Sequence, residues 1–233
     1  MQNSFTKAKK YLSSKGKYLL DVGSGPIGLK EYVELSENFE VRICVDISVN
    51  ALIQAKYNYQ HRKGVFICGD VTNLPLKENV CDSVLCQHLL YHIPKNEQKI
   101  AVEEMYRVAK TGSNIAIVYS LFFRSWFMNI ALFPIQLYRI ARHFAGKVFV
   151  RLVNGKSRLY FYPHSIGWFK RNFSFSNKME FYCWRSANKY FLKLYIHEKF
   201  GGREILKWLR KSEDKFPKFW GRVGEYPVIV IKK

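Results

Sequence analysis

The sequence predicts an α/β fold, a mostly parallel sheet flanked by helices. Three observations lead to it. Short, continuous apolar runs recur through the first 120 residues, as in strands buried on both faces. Three of these runs carry or meet an acid and then turn, at Asp21, Asp46 and Asp70. Segments of helical period separate them.

The first run, Tyr18-Leu19-Leu20-Asp21-Val22, follows a short basic lead-in over residues 4–16 and opens onto a glycine-rich turn, Gly23-Ser24-Gly25-Pro26-Ile27-Gly28. A helical stretch, Leu29 to Leu35, leads to the second run, Val41 to Val45, which is closed by Asp46. Ser48 then caps a helix beginning near Val49, since its side-chain oxygen can accept from a free first-turn N–H. Val65 to Cys68 is the third strand, ending at Gly69-Asp70. Ser83 to Cys86 is the fourth, with Gln87 and His88 at its end. Lys95 to Lys110 reads as a helix with Ala101, Met105 and Val108 on one face, and Gly112 is expected to stop it. Asn114 to Tyr119 is the fifth strand.

After residue 120 the alternation breaks. Ser165 to Asn172 reads as a short capped helix, and Tyr190 to Lys211 as a helix interrupted at Gly201-Gly202. Met179 to Trp184 and Tyr226 to Ile231 are expected to be the sixth and seventh strands. No repeat or low-complexity linker divides the chain, so 1–233 is read as one domain. It comprises a core (1–120), an apolar and basic insertion (121–163) and a C-terminal acceptor-side part (164–233).

Composition narrows the partners. The net charge is +20 over 233 residues, with 16 % aromatics. Residues 1–120 carry 15 basic and 12 acidic side chains, whereas residues 121–233 carry 23 and 6. The second half therefore suits an anionic surface. No charge-free stretch is long enough to span a bilayer, and Met1 to Lys17 lacks an apolar signal core, so a cytoplasmic protein is expected. The five cysteines form no CxxC pair and none lies at metal-ligand spacing to a histidine, so reduced thiols and no metal are expected.

Gly23, Gly25 and Gly28 satisfy GxGxxG between a strand and a helix, with Asp46 at the end of the next strand. Alone this would suit a dinucleotide. Asp21, two residues before Gly23, argues instead for a ligand with positive groups, because a fixed carboxylate repels a pyrophosphate.

With Val45-Asp46-Ile47-Ser48, Gly69-Asp70-Val71, Leu74-Pro75, Cys81-Asp82-Ser83-Val84, Leu89-Leu90-Tyr91-His92-Ile93-Pro94 and Glu103-Glu104-Met105-Tyr106-Arg107-Val108 in order, the chain resembles the class I S-adenosylmethionine-dependent methyltransferases, of the type 11-like kind, over about residues 11–120. The resemblance implies a Rossmann-like, doubly wound seven-stranded sheet, mostly parallel with an antiparallel last strand, carrying an aromatic and basic helical insertion after strand five. It implies S-adenosyl-L-methionine as cofactor. Gly23, Ser24 and Gly25 would make room for its methionine part, and Asp21 would orient its amino group. Asp46 would hold the ribose hydroxyls and Ile47 would pack on adenine. Asp70 and the Val71 backbone would meet the adenine amine, with Gln87 lining the floor. The chain departs from the family at Ile27, where a third glycine is usual; here glycine comes one place later, at Gly28.

Methyl transfer mainly needs positioning, with a base where the acceptor loses a proton. A base of near-neutral pKa points to histidine, and His88 and His92 follow strand four on the ligand-binding edge. They are the catalytic candidates, and His164 is a further residue that could line the acceptor pocket.

The run Trp126 to Tyr138 is uncharged and followed by Arg139, Arg142, Lys147 and Arg151. Drawn as a helix it sets Trp126, Ile130, Phe133, Leu137, Ile140 and Phe144 against Asn129, Gln136, His143 and Lys147. Such a segment lies in a membrane interface or covers a pocket. The expected partner is a small-molecule or lipid-linked acceptor, with an anionic membrane surface met through 121–150, on the inner face. RNA docked on the basic half is the alternative enzyme reading. A cofactor-binding or peripheral membrane module without turnover is the third.

Overall fold

The computed structural model describes residues 6–60, 62–133, 137, 160–197 and 201–233. Seven strands form one sheet: β1 (Gly16–Val22), β2 (Phe39–Asp46), β3 (Gly64–Cys68), β4 (Cys81–Gln87), β5 (Ala109–Val118), β6 (Met179–Arg185) and β7 (Tyr226–Lys232). Their order is β3-β2-β1-β4-β5-β7-β6. β1 to β5 pair in parallel. β7 pairs antiparallel with both β5 and β6, so β6 again runs in the direction of β5. The expected doubly wound sheet with one reversed strand is the observed one.

Alternation within each strand explains the burial on both faces. Leu20, Val22, Val84, Cys86, Ile115, Ile117, Ile229 and Ile231 enter one core. Leu19, Leu85, Ala116, Val118, Val228 and Val230 enter the core on the other face. The helices are α1 (Lys30–Glu34), α2 (Val49–Asn58), α3 (Gln98–Val108), α4 (Trp126–Ala131), α5 (Ile166–Asn172), α6 (Lys189–Tyr195), α7 (Gly202–Lys215) and α8 (Pro217–Val223). α3 buries Ala101, Val102, Met105 and Val108 against the first core, the stripe that helical spacing requires. Ser48, Ser125, Ser165 and Asn188 cap α2, α4, α5 and α6 by accepting from first-turn N–H groups. Helices α4, α6, α7 and α8 share a smaller cluster that includes Met128, Phe191, Leu209 and Trp220.

One local expectation is corrected. Gly112 does not stop a helix; it lies inside β5 with φ of 83°. Cys81 pairs with Ala109 and Ser83 with Asn114, so β5 bulges there and glycine supplies the left-handed residue of the bulge. The insertion is described only in part. Residues 126–131 are helical, but Gln136, Ile140, His143, Phe144 and Lys147 lie outside the described residues. None of the described helices is long and apolar enough to cross a membrane.

Candidate active site at the carboxyl edge of the sheet

β1 leaves the sheet between β2 and β4, where the winding direction changes, and an open α/β sheet places its ligand crevice at such a point. The glycine turn begins there. Gly23 and Gly25 both take left-handed backbone, with φ of 66° and 56°. A Cβ on Gly23 would lie 2.7 Å from the Leu89 side chain, whereas one on Gly25 would meet nothing within 4 Å. Gly23 is therefore required by packing, and Gly25 leaves its space to a ligand.

Ile27 shows how the chain manages without the family's third glycine. It adopts φ of 47°, an unusual conformation for a β-branched residue. Its side chain is 2 % exposed and packs with Cys44, Leu52, Ala55 and Tyr59 beneath α2. Burial of about 1.5–3 kcal/mol offsets backbone strain of about 1–2 kcal/mol.

Asp46 ties the turn to β2. Its Oδ2 accepts from Gly25 N at 2.9 Å and its Oδ1 from Ser48 N at 2.9 Å. A carboxylate has about four acceptor positions, so ribose hydroxyls can still donate to it. Ile47 beside it is 77 % exposed, a free apolar surface suited to a purine. Asp70 is exposed and accepts from Thr72 N at 2.8 Å; the Val71 side chain is buried in the core, leaving its backbone for contact. Ser24 donates from Oγ to Gly25 O at 3.4 Å within the turn.

Asp21 has a counter-charge within the sheet, Arg42, which the sequence reading did not pair with it. Arg42 Nε and Nη2 both donate to Asp21 Oδ2, at 3.0 and 2.5 Å. Arg42 Nη1 donates to Tyr32 O, and the two side chains are 1 % and 4 % exposed. Arg42 stands inside the Val41 to Val45 run that was read as a buried strand. Arg42 and Asp21 project to the same face from adjacent strands, which is the signal that links them.

The end of β4 supplies the remaining polar groups. Gln87 Oε1 is buried and has no hydrogen-bond partner, which is costly unless a ligand donates to it. His88 holds φ of 57°, and its Nδ1 lies 3.0 Å from the Tyr91 hydroxyl. Its ring meets Trp184 edge-on at 4.9 Å and Tyr226 at 6.1 Å. Burial, with the Arg185 guanidinium second, pushes its pKa down to about 4. The expected near-neutral base is therefore replaced by a histidine that stays neutral and is weakly basic.

His92 packs against Tyr91 with ring centroids 4.6 Å apart, and its Nδ1 donates to Tyr160 O at 2.8 Å. This bond is one of several fastening residues 160–164 to the rim. Tyr162 N donates to Tyr91 O, Gln98 Nε2 to Tyr162 O, and His164 N to the Tyr119 hydroxyl. His164 is buried and stacked on Trp168 at 3.8 Å, a packing position. The sequence reading missed Tyr119, Trp184, Arg185 and Tyr226. The direction of β6 explains the latter three: Arg185 ends a strand parallel to β4, and Tyr226 starts the reversed β7, so both reach the edge where Gln87 lies.

Residues present thus fit S-adenosylmethionine: an open glycine turn, an acid for ribose, an apolar surface for adenine and an orphaned amide oxygen for an ammonium. Comparisons with known proteins agree. Residues 20–117 match the family model described as a methyltransferase domain. An uncharacterized protein of Methanocaldococcus jannaschii is 33 % identical over 110 residues, covering 47 % of this chain and 44 % of that protein. The chain therefore spans less than half the length of the curated relative it matches. Among solved structures, the YcgJ protein of Bacillus subtilis aligns over 100 % of this chain and 99 % of its own, at 16 % identity and a TM-score of 0.59. A SAM-dependent methyltransferase from Archaeoglobus fulgidus aligns over 100 % and 92 %, at 15 % identity and a TM-score of 0.59.

Proposed function

We propose that this chain, whose residues 20–117 match a methyltransferase-domain family model, transfers the methyl group of S-adenosylmethionine to a small or lipid-linked acceptor at an anionic membrane surface on its cytoplasmic side. The observation that carries the reading is the buried, unpartnered Gln87 Oε1 at the end of β4, the strand paired with β1 and its glycine turn. When bound, the cofactor supplies a methyl group already activated on a sulfonium, so the protein chiefly has to bind and orient. Asp46 would hold the ribose hydroxyls, and Gln87 Oε1 would accept from the ammonium. His88 is neutral at pH 7, and Tyr91 engages its Nδ1. In the tautomer whose Nδ1–H donates to the Tyr91 hydroxyl, Nε2 is left to accept a hydrogen bond from the acceptor. A pKa near 4 suits orientation of the acceptor better than removal of a proton from an alcohol.

The membrane part rests on surface chemistry. Trp126, Ile130 and Phe133 are 73 %, 69 % and 61 % exposed, a large area for three apolar side chains. On α7, α8 and the residue between them, Trp208, Phe219 and Phe216 are exposed among Lys207, Lys211, Lys215, Lys218 and Arg222. Aromatic anchors with cationic neighbours match an anionic interface.

Calorimetry with S-adenosylhomocysteine tests the first part. Binding is expected, weakened at least about tenfold by Asp46→Ala, since charge-assisted hydrogen bonds are lost. No binding, or binding indifferent to that change, removes the methyltransferase reading. Co-sedimentation tests the second: more protein should follow phosphatidylglycerol-containing vesicles than pure phosphatidylcholine ones, and Trp126→Ala with Phe133→Ala should reduce it. Equal partition, with salt-sensitive binding to RNA instead, favours RNA as the partner.

A further inference from the structure

A cavity of about 220 Å³ lies between the N-terminal 3₁₀ turn, the end of β6 and helices α6 and α7. Its apolar side is formed by Trp184, Leu192, Leu206 and Leu209, and Arg185 and Arg210 bring charge to it. Cavities near 150 Å³ already admit benzene, so a short acyl chain or a ring fits here.

The charges at the wall do not cancel. Glu213 is buried and fully engaged: its Oε1 accepts from Ser186 N and Oγ at 2.8 and 2.7 Å, and its Oε2 from Lys7 Nζ at 2.9 Å. Asp214 also pairs with Lys7, at 3.3 Å. Both acids are thus directed at Lys7, and neither forms an ion pair with Arg185 or Arg210 among the described residues. Arg185 Nε is buried without a hydrogen-bond partner, while its guanidinium lies over the rings of Tyr226 and Trp184 at 4.5 and 5.2 Å. Those same two rings flank His88. Arg185 therefore borders the cavity on one side and the transfer site on the other.

We propose that this cavity is the acceptor pocket and that it takes an amphiphilic anion, its apolar body against Leu192, Leu206 and Leu209 and its carboxylate or phosphate on Arg185. An anion supplies the acceptor that the buried Nε lacks and compensates a cation held between aromatic faces. The word acceptor rests on the methyl-transfer reading; the binding of an amphiphilic anion does not.

Calorimetry on the full chain decides it, using octanoate, octyl phosphate, octanol and inorganic phosphate as probes, with S-adenosylhomocysteine titrated into the same samples. Octanoate or octyl phosphate should bind at least about tenfold tighter than either octanol or inorganic phosphate. Arg185→Gln should abolish the preference for the anion over octanol, and Leu206→Trp should block every octyl probe by filling the cavity. Both variants should keep the wild-type affinity for S-adenosylhomocysteine, which reports an intact fold. Octanol binding as tightly as octanoate and octyl phosphate, or an anion preference that survives Arg185→Gln, overturns the proposal. Anion binding that follows this pattern in a protein that ignores S-adenosylhomocysteine supports the pocket and refutes the methyl-transfer reading.

Discussion

Arg42→Met should destabilise the fold far more than an ordinary strand substitution. The guanidinium is 1 % exposed and makes two bonds to Asp21 and one to the Tyr32 carbonyl. Methionine keeps the apolar stem in place but leaves the buried Asp21 carboxylate without its counter-charge and removes the guanidinium bond to the Tyr32 carbonyl. Breaking a buried ion pair from one side costs about 3–5 kcal/mol. With a urea m-value of about 3 kcal/mol/M, the unfolding midpoint should fall by about 1–1.7 M. The companion variant, Asp21→Leu with Arg42→Met, removes both charges and should recover most of the loss, because an apolar pair of similar volume is often neutral. Its residual deficit of about 1–3 kcal/mol belongs to the Tyr32 carbonyl. Urea unfolding followed by tryptophan fluorescence measures all three proteins. A midpoint shift below about 0.3 M for Arg42→Met, or a double variant no more stable than the single one, would refute the reasoning.

Gly25→Ala should separate stability from binding. The new methyl group meets no protein atom within 4 Å, so thermal unfolding should report a loss of only about 1–2 kcal/mol from the left-handed backbone. Affinity for S-adenosylhomocysteine, measured by calorimetry, should fall more than about tenfold, and an unchanged affinity would contradict the placement of the cofactor. His88→Asn keeps a residue tolerant of positive φ and removes the titrating ring. The His88 pKa is lowered to about 4 from an unfolded value near 6.5, so its contribution to stability is complete above 6.5 and is lost as pH falls toward 4. Between pH 7 and 4.5 the wild type should therefore lose about 2 kcal/mol more than the variant, and equal slopes would show that the histidine titrates freely.

Much of the fold was legible because strands buried on both faces must be written as continuous apolar runs. Residues 18–22, 83–86 and 226–231 announce β1, β4 and β7 this way. The glycine turn and the acid at Asp46 were legible for a related reason, since few residues can hold left-handed backbone at a strand end. What stayed hidden depends on partners distant in sequence. Asp21 was read as facing a ligand, because nothing local shows that Arg42 lies on its face of the next strand. Gly112 looks the same in sequence whether it ends a helix or forms a bulge, and only the pairing with β4 decides. His88 was chosen for an ordinary histidine pKa, yet Trp184, Arg185 and Tyr226, which help set its surroundings, lie about a hundred residues or more away.

The reversed β7 also governs how the chain can fold. It lies between β5 and β6, and in sequence it comes about forty residues after β6 ends. Until β7 is synthesised, β5 has a bare edge and β6 has no strand to pair with. The first five strands can associate as the chain emerges, whereas Trp184 and Arg185 are placed only when β7 joins. Such late, sequence-distant pairing is slow and leaves open edges prone to association. The crevice between β1, β2 and β4 should thus assemble early and the side that carries Trp184 and Arg185 last.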